Sequence, residues 1–323
     1  MKIENPEPIS AAEALELLRL DASEALEALF DRASAARAAA FSNEVSACSI
    51  VNARCGGCSE DCAFCAQAKS SQAEIETYPL ISKDEILAAA KRAERDGAGR
   101  LGIVTSGRSV DPGKDLDAII DAVSAVISET SVVPCASLGL MDEESLRRLK
   151  AAGLKRYHHN LETAESFFNE ICGTRDYDDQ IRTIKNAEKA GLEVCCGGIF
   201  GLGESLAQRV ELLDTIRSLK PQSIPLNFLV PIPGTKLAEA RSLTPLECLK
   251  TIAVARLMAP TANIRVCGGR ELNLKDRQPD IFRAGADALM IGGYLVTAGN
   301  PVEKDKKMIA DAGMRLRQPP GTA

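Results

Sequence analysis

From Val45 onward the chain alternates two patterns. Short runs rich in β-branched and other apolar residues read as strands, and longer stretches with apolar residues recurring every three to four positions read as helices. The predicted strands are Val45–Asn52, Arg100–Ser106, Ser131–Ser137, Arg156–Leu161, Leu192–Ile199, Ser223–Leu229, Asn263–Cys267 and Ala288–Ile291. Between them the spacing predicts helices over Lys83–Asp96, Leu116–Glu129, Glu143–Ala152, Asp178–Ala190, Ser205–Leu219 and Pro245–Ala259. Glycine recurs where a helix hands over to a strand, at Gly97, Gly153, Gly191 and Gly285, as a helix C-terminus requires. Before the first strand, Ile9 to Ala40 is rich in Ala, Leu and Glu with helical spacing, and Ser10 with Glu13 reads as a capping box.

Alternating strands and helices give the α/β class with a parallel sheet. The strand count favours a (β/α)8 TIM-type barrel over residues 44–315, with a helical arm at 1–43 and a flexible tail at 316–323. A doubly wound sheet is the alternative.

Composition narrows the function. Basic and acidic residues number 39 and 45, a net charge of −6, which argues against a nucleic-acid partner. Neither a membrane-length apolar run nor a signal peptide is evident, so a cytoplasmic protein is expected. Eleven cysteines in such a chain point to metal or redox chemistry.

The densest cysteine stretch is Cys55 to Cys65, placed by the pattern just beyond strand one. In a barrel, that end of the strands carries the chemistry. Cys58, Cys62 and Cys65, spaced x3 then x2, can hold three corners of a cubane cluster and leave an iron open to a small molecule. A structural zinc site through Cys55, Cys58, Cys62 and Cys65 is the competing reading, although zinc ribbons separate their pairs more widely. Other polar residues and cysteines fall in or just after strands: Thr105, Ser106, Cys135, Asn160, Glu162, Cys195, Asn227, Arg265 and Cys267. Cys48, Cys172, Cys196 and Cys248 read as small buried apolar residues.

The Cys58–Cys65 spacing with Phe64 before the last cysteine, and Gly197-Gly-Ile199-Phe-Gly201-Leu-Gly-Glu204, resemble the radical S-adenosylmethionine (radical SAM) enzymes. Cys48-Ser-Ile50, His159-Asn-Leu-Glu-Thr163, Asn227-Phe-Leu-Val230 and Thr251-Ile-Ala-Val-Ala-Arg256 resemble the biotin synthases among them. The resemblance runs from about Ser46 to Lys304. It implies a 4Fe-4S cluster on Cys58, Cys62 and Cys65, S-adenosylmethionine on its open iron, and sulfur insertion into dethiobiotin from an auxiliary iron–sulfur cluster of the 2Fe-2S type or a variant. It further implies a flavodoxin- or ferredoxin-like electron donor and a homodimer. By position, Phe64 is expected at the adenine, Asn160 and Glu162 at the nucleoside, and Arg175 at the methionine carboxylate. Thr105 and the Gly197, Ile199 and Glu204 segment would complete the cofactor pocket. His158, Asn227 and Thr297 would face dethiobiotin.

The auxiliary site departs from the family pattern of three cysteines and an arginine. Cys135, Cys195 and Arg265 match, whereas Gly102 stands at the strand-two cysteine. Side chains two apart on a strand share a face, so Cys267 is expected beside Arg265 as a replacement ligand. His158 replaces an asparagine of the family, and Ala298 the second threonine of a pair. A hydrogenase-maturase-like radical SAM enzyme and a non-enzymatic iron–sulfur or zinc-binding protein remain as rival readings.

Overall fold

The computed structural model describes residues 7–317. Helices α1 (Ala11–Arg19) and α2 (Ser23–Phe41) precede strand β1 (Glu44–Arg54). Next come α3 (Lys83–Arg95), β2 (Arg100–Thr105), α4 (Lys114–Glu129), β3 (Val133–Ser137), α5 (Glu143–Ala151) and β4 (Arg156–His158). After α6 (Glu165–Ile171) and α7 (Tyr177–Lys189) lie β5 (Glu193–Cys195), β6 (Gly198–Phe200), α8 (Leu206–Ser218), β7 (Ser223–Phe228) and α9 (Pro245–Met258). The chain ends with β8 (Asn263–Val266), α10 (Arg270–Leu274), β9 (Ala288–Met290), α11 (Val302–Asp311) and β10 (Arg315–Leu316).

All neighbouring strands pair in parallel, and β9 returns to β1 with Ser46 opposite Ala288. The sheet therefore closes into the expected eight-staved barrel, with β5 and β6 as two halves of one stave. The predicted strand Leu192–Ile199 is broken at Cys196 and Gly197 because the chain there presses onto β7. A Cβ at Gly197 would lie 1.8 Å from the Pro225 carbonyl oxygen. Strand β1 carries an irregularity between Asn52 and Arg54 in its pairing with β2. Beyond it the Arg54 guanidinium donates to Ser106 O at 2.9 Å and to Asp115 Oδ2 at 2.8 Å, which anchors the root of the following loop.

The N-terminal arm packs on the helical ring. Leu18, Leu29, Phe30 and Ala33 are buried in the main core, and Lys250 Nζ caps the end of α1 by donating to Leu18 O and Leu20 O at 2.7 and 2.9 Å. Covered on both sides, α9 is buried from Cys248 onward except at Lys250. A helix that is apolar nearly all round is one enclosed by protein. Its Arg256 donates to the carbonyls of Gly285, Pro260 and Ala262 and pairs with Asp287, both side chains being fully buried.

Local differences from the sequence reading have identifiable causes. Ser10 Oγ accepts from Glu13 N, but Glu13 Oε1 takes Arg32 Nη1 at 2.5 Å, so the reciprocal half of the capping box is absent. Leu316, assigned above to the tail, pairs with Val45 in β10; residues 318–323 of that tail lie outside the described residues. No described helix is long and apolar enough to cross a membrane.

Candidate active site

A cavity of about 360 Å³ lies within the barrel and opens among the loops that follow the strands. Its wall includes Cys65, Phe64, Cys135, His158, Asn160, Glu162, Cys195, Ile199, Asn227, Arg265, Cys267 and Thr297, so most of the residues singled out by sequence meet here. Cys58, Cys62, Thr105, Arg175, Gly197 and Glu204 stand outside that wall.

The cysteine loop is shaped by short-range backbone bonds. Cys58 N donates to Gln67 O at 3.1 Å, Lys69 N to Cys58 O at 2.7 Å and Cys65 N to Cys62 O at 3.0 Å. Its far side is fixed to the end of α6, where Ala63 N meets Ile171 O at 2.8 Å and Gly173 N meets Asp61 Oδ1 at 2.9 Å. Cys55 exchanges both backbone bonds with Tyr78 at 3.1 Å and is buried away from the cavity wall. All eleven cysteines are free thiols. Among the described residues no three His, Cys, Asp or Glu side chains are arranged to grip a single ion.

Arg175 Nη2 approaches Cys62 Sγ at 3.5 Å, and its buried Nε has no hydrogen-bond partner. The side chain is thus placed behind the loop with donor capacity left over. Thr105 Oγ1 is likewise buried without a partner. Glu204 is fully committed: its oxygens accept from Gly201 N at 2.9 and 3.1 Å and from Arg209 Nε at 2.7 Å. Its part is to hold the Gly201 turn, not to reach a ligand directly.

Asn160 and Glu162 project from the end of β4. Asn160 Oδ1 accepts from Gly197 N at 3.2 Å. Glu162 adopts φ +67, unusual for a residue with a side chain, and its carbonyl takes Ile199 N at 2.7 Å. That bond joins the two motif segments and turns the carboxyl into the cavity. Burial raises the Glu162 pKa against the pull of Arg175 and His158. Asn227 spans β6 and the loop after β8, donating to Gly198 O at 3.2 Å and accepting from Gly268 N at 3.1 Å. One N–H and one lone pair of its amide remain free for a ligand.

The deep end of the cavity gathers thiols and arginines. Arg265 is 3% exposed and has no carboxylate at ion-pair distance among the described residues. Its guanidinium donates to Ser46 O and Leu289 O at 3.1 Å and to Ser46 Oγ at 3.2 Å. Burial works against its charge, and negative charge on the neighbouring cysteines, with that of Asp287 farther off, raises its pKa against that burial. Arg100 and Arg156 also line this end and share Glu193, at 3.2 and 2.7 Å. Burial opposes ionisation of Cys195, but His158 through charge and a hydrogen bond, with Arg156 and Arg265, brings it down to about 6. A buried cation without a carboxylate calls for an anion, and thiolates bound to a cluster supply one. The residues present therefore fit an iron–sulfur group.

Sequence reasoning missed Arg100, Arg156, Tyr294 and Cys48, all in the cavity wall. Arginines inside predicted strands were the available signal for the first two. Cys48, read above as core filler, is instead half-buried and faces the cavity. Cys196 and Cys248 are fully buried in the core, as expected. Cys172 is buried too, within reach of Glu60 and Thr174 beside the cysteine loop.

Comparison with known proteins agrees with this geometry. Residues 54–216 match the radical SAM superfamily, and residues 225–315 match the biotin and thiamin synthesis associated domain. The chain is 49% identical to a biotin synthase of Pelobacter propionicus over 306 residues, covering 95% of this chain and 93% of that one. It is 50% identical to a biotin synthase of Geobacter sulfurreducens with the same coverage. Among solved structures, methylornithine synthase (PylB) superposes with a TM-score of 0.84 at 22% identity, over 97% of this chain and 95% of that one. The hydrogenase maturase HydG of Carboxydothermus hydrogenoformans gives 0.84 at 17%, over 97% and 76%. At those identities the structural likeness speaks for the fold alone. The sequence relatives, spanning both halves of the barrel, establish that the chain belongs to the biotin synthase family of radical SAM enzymes.

Proposed function

We propose that this chain converts dethiobiotin to biotin in the barrel cavity, with the cysteine loop at its mouth and the thiol–arginine group at its floor. When bound, a 4Fe-4S cluster with S-adenosylmethionine supplies the hydrogen-abstracting radical, and an auxiliary iron–sulfur cluster supplies the sulfur. The protein binds, orients and shields these groups.

Cys58, Cys62 and Cys65 hold the first cluster, with Arg175 beside Cys62 to receive the methionine carboxylate. Phe64 faces the adenine and Asn160 and Glu162 the nucleoside. Gly197, Ile199 and Glu204 set the backbone of that wall, and Thr105 adds a buried hydroxyl behind it. Asn227 offers its free N–H and lone pair to the ureido ring, His158 borders the ring, and Thr297 near the mouth takes the carboxylate tail. Cys135, Cys195 and Arg265 hold the auxiliary cluster, with Cys267 on the same face. The observation that carries the reading is Arg265, a buried cation beside cavity-lining cysteines with no carboxylate at ion-pair distance among the described residues. A flavodoxin- or ferredoxin-like reductant, a homodimer and a cytoplasmic setting complete the proposal.

The test is anaerobic reconstitution with iron and sulfide, followed by reductant, S-adenosylmethionine and dethiobiotin. Biotin and 5′-deoxyadenosine are expected together. Deoxyadenosine without biotin would reject the substrate and keep the radical chemistry. Cys267→Ser probes the ligand set: unchanged iron content with full biotin formation would remove Cys267 from it.

A further inference from the structure

We propose that Cys62 and Cys172 are a disulfide-forming pair: in the iron-free protein a peroxide joins them, and the bond keeps Cys62 recoverable as a cluster ligand. The inference rests on the proposed function only in giving Cys62 that ligand role.

The two residues face each other across a clasp between the cysteine loop and the end of α6. On one side of the pair Ala63 N donates to Ile171 O at 2.8 Å. On the other, Gly173 N donates to Asp61 Oδ1 at 2.9 Å and Asp61 N to Thr174 Oγ1 at 3.2 Å. The segments therefore run antiparallel, 61 against 173 and 63 against 171, with Cys62 opposite Cys172 between the two contacts. Their side chains meet there through a hydrogen bond. Residues opposite each other in antiparallel backbone stand about 4.5–5.5 Å apart at Cα. That lies within the about 4.4–6.8 Å that a disulfide spans.

The surroundings favour this pair over one within the loop. Cys172 Sγ lies 3.5 Å from Thr174 Oγ1 and 4.0 Å from Glu60 Oε2. Arg175 Nη2 reaches Cys62 Sγ at 3.5 Å, and its Nε is 3.9 Å from the same Glu60 oxygen. Thr174, Glu60 and Arg175 thus gather both sulfurs into one group. Cys65, by contrast, is coupled to Cys58. Of the pair, Cys62 is 8% exposed and Cys172 2%, so a small oxidant reaches Cys62 first. Arg175 stabilises negative charge on that sulfur, the form that attacks. Attack on hydrogen peroxide breaks the O–O bond, leaves one oxygen on Cys62 as a sulfenic acid and releases the other as water. Cys172 then displaces the sulfenic oxygen as a second water, so two thiols and one peroxide give one disulfide and two waters. A sulfenic acid with no thiol opposite goes on to sulfinic acid, which a simple reductant does not reverse. The thiol at 172 stops that loss.

The experiment titrates full-length iron-free protein with hydrogen peroxide, blocks the remaining thiols with iodoacetamide in denaturant and maps peptides by mass spectrometry without reduction. A Cys62–Cys172 cross-linked peptide is expected as the main disulfide form of Cys62. Treatment with tris(2-carboxyethyl)phosphine should return both thiols. Cys62 joined to Cys58 or Cys65 instead, or Cys172 alkylated as fully as in untreated protein, overturns the inference. Under excess peroxide, Cys172→Ser should carry several-fold more sulfinic acid on Cys62 than wild type. Equal sulfinic acid in the two proteins overturns the inference as well. The wild-type map needs no variant and decides alone if Cys172→Ser does not fold. A protein that shows the cross-link but makes no biotin after reconstitution refutes the proposed function and keeps the pair.

Discussion

His159, one of two histidines in the chain, is 6% exposed on the wall behind the candidate nucleoside site. Its Nε2 lies 2.9 Å from Gln180 Oε1, and Gln180 Nε2 donates to Asn160 O at 3.1 Å. A neutral ring with its proton on Nε2 satisfies this relay. Burial, with the positive charges of Arg175 and His158, outweighs the Gln180 bond and pushes the pKa down to about 3. A histidine in an unfolded chain titrates near 6.5, so the gap of about 3.5 units corresponds to at most about 5 kcal/mol. Above about pH 6.5 the ring is neutral in both states and this stability is fully present. Between about 6.5 and 3 the unfolded chain takes up a proton that the folded chain refuses, so stability falls as pH falls. The check is ring-carbon NMR on iron-free protein labelled at histidine, with His159→Gln assigning the two signals. Wild type should also lose up to about 1.4 kcal/mol more per pH unit than His159→Gln in urea unfolding below about pH 6. A His159 signal titrating near 6.5, or parallel stability slopes, would refute the reasoning.

Three further outcomes follow from contacts described above. Gly197→Ala forces a methyl into the Pro225 carbonyl and should cost at least the upper end of the about 1–3 kcal/mol typical of overpacking, read as a lowered melting temperature. Asp287→Ala strands the fully buried Arg256 charge and should cost about 3–5 kcal/mol in denaturant unfolding. Asn227→Ala should raise the KM for dethiobiotin about tenfold, the equivalent of one lost hydrogen bond. Deoxyadenosine formation without dethiobiotin should stay at the wild-type rate.

The barrel was legible because the staves are short apolar runs separated by amphipathic helices, and each helix buries one face on the sheet. The interruption at Cys196–Gly197 was not, since it depends on a contact with Pro225 that is remote in sequence. Helix α6 and the short α10 also escaped the pattern, being too brief to show a period. At the site, local spacing disclosed the cysteine loop, and strand alternation placed Cys267 on the Arg265 face, where both line the cavity. The same alternation applied to β1 needed a reference residue to say which face looked inward. Only the Ser46–Arg265 contact supplies it, so Cys48 passed for core filler. Likewise, nothing near Glu204 announced that Gly201 and Arg209 would occupy its oxygens.

The irregularity in β1 near Ala53 has a consequence for which genetic changes this protein can survive. Above it the chain launches the cysteine loop; below it Ser46, Cys48 and Ile50 face the barrel floor. Alternation makes the strand a two-phase device, in which losing or gaining a residue turns every following side chain to the opposite face. Deletion of a single codon between Cys48 and Arg54 would therefore put the floor and the mouth out of phase, although every cysteine would still be encoded. A codon lost from an exposed helix–strand turn changes no such phase. Insertions and deletions, more than substitutions, should mark β1 as the segment this enzyme cannot re-cut.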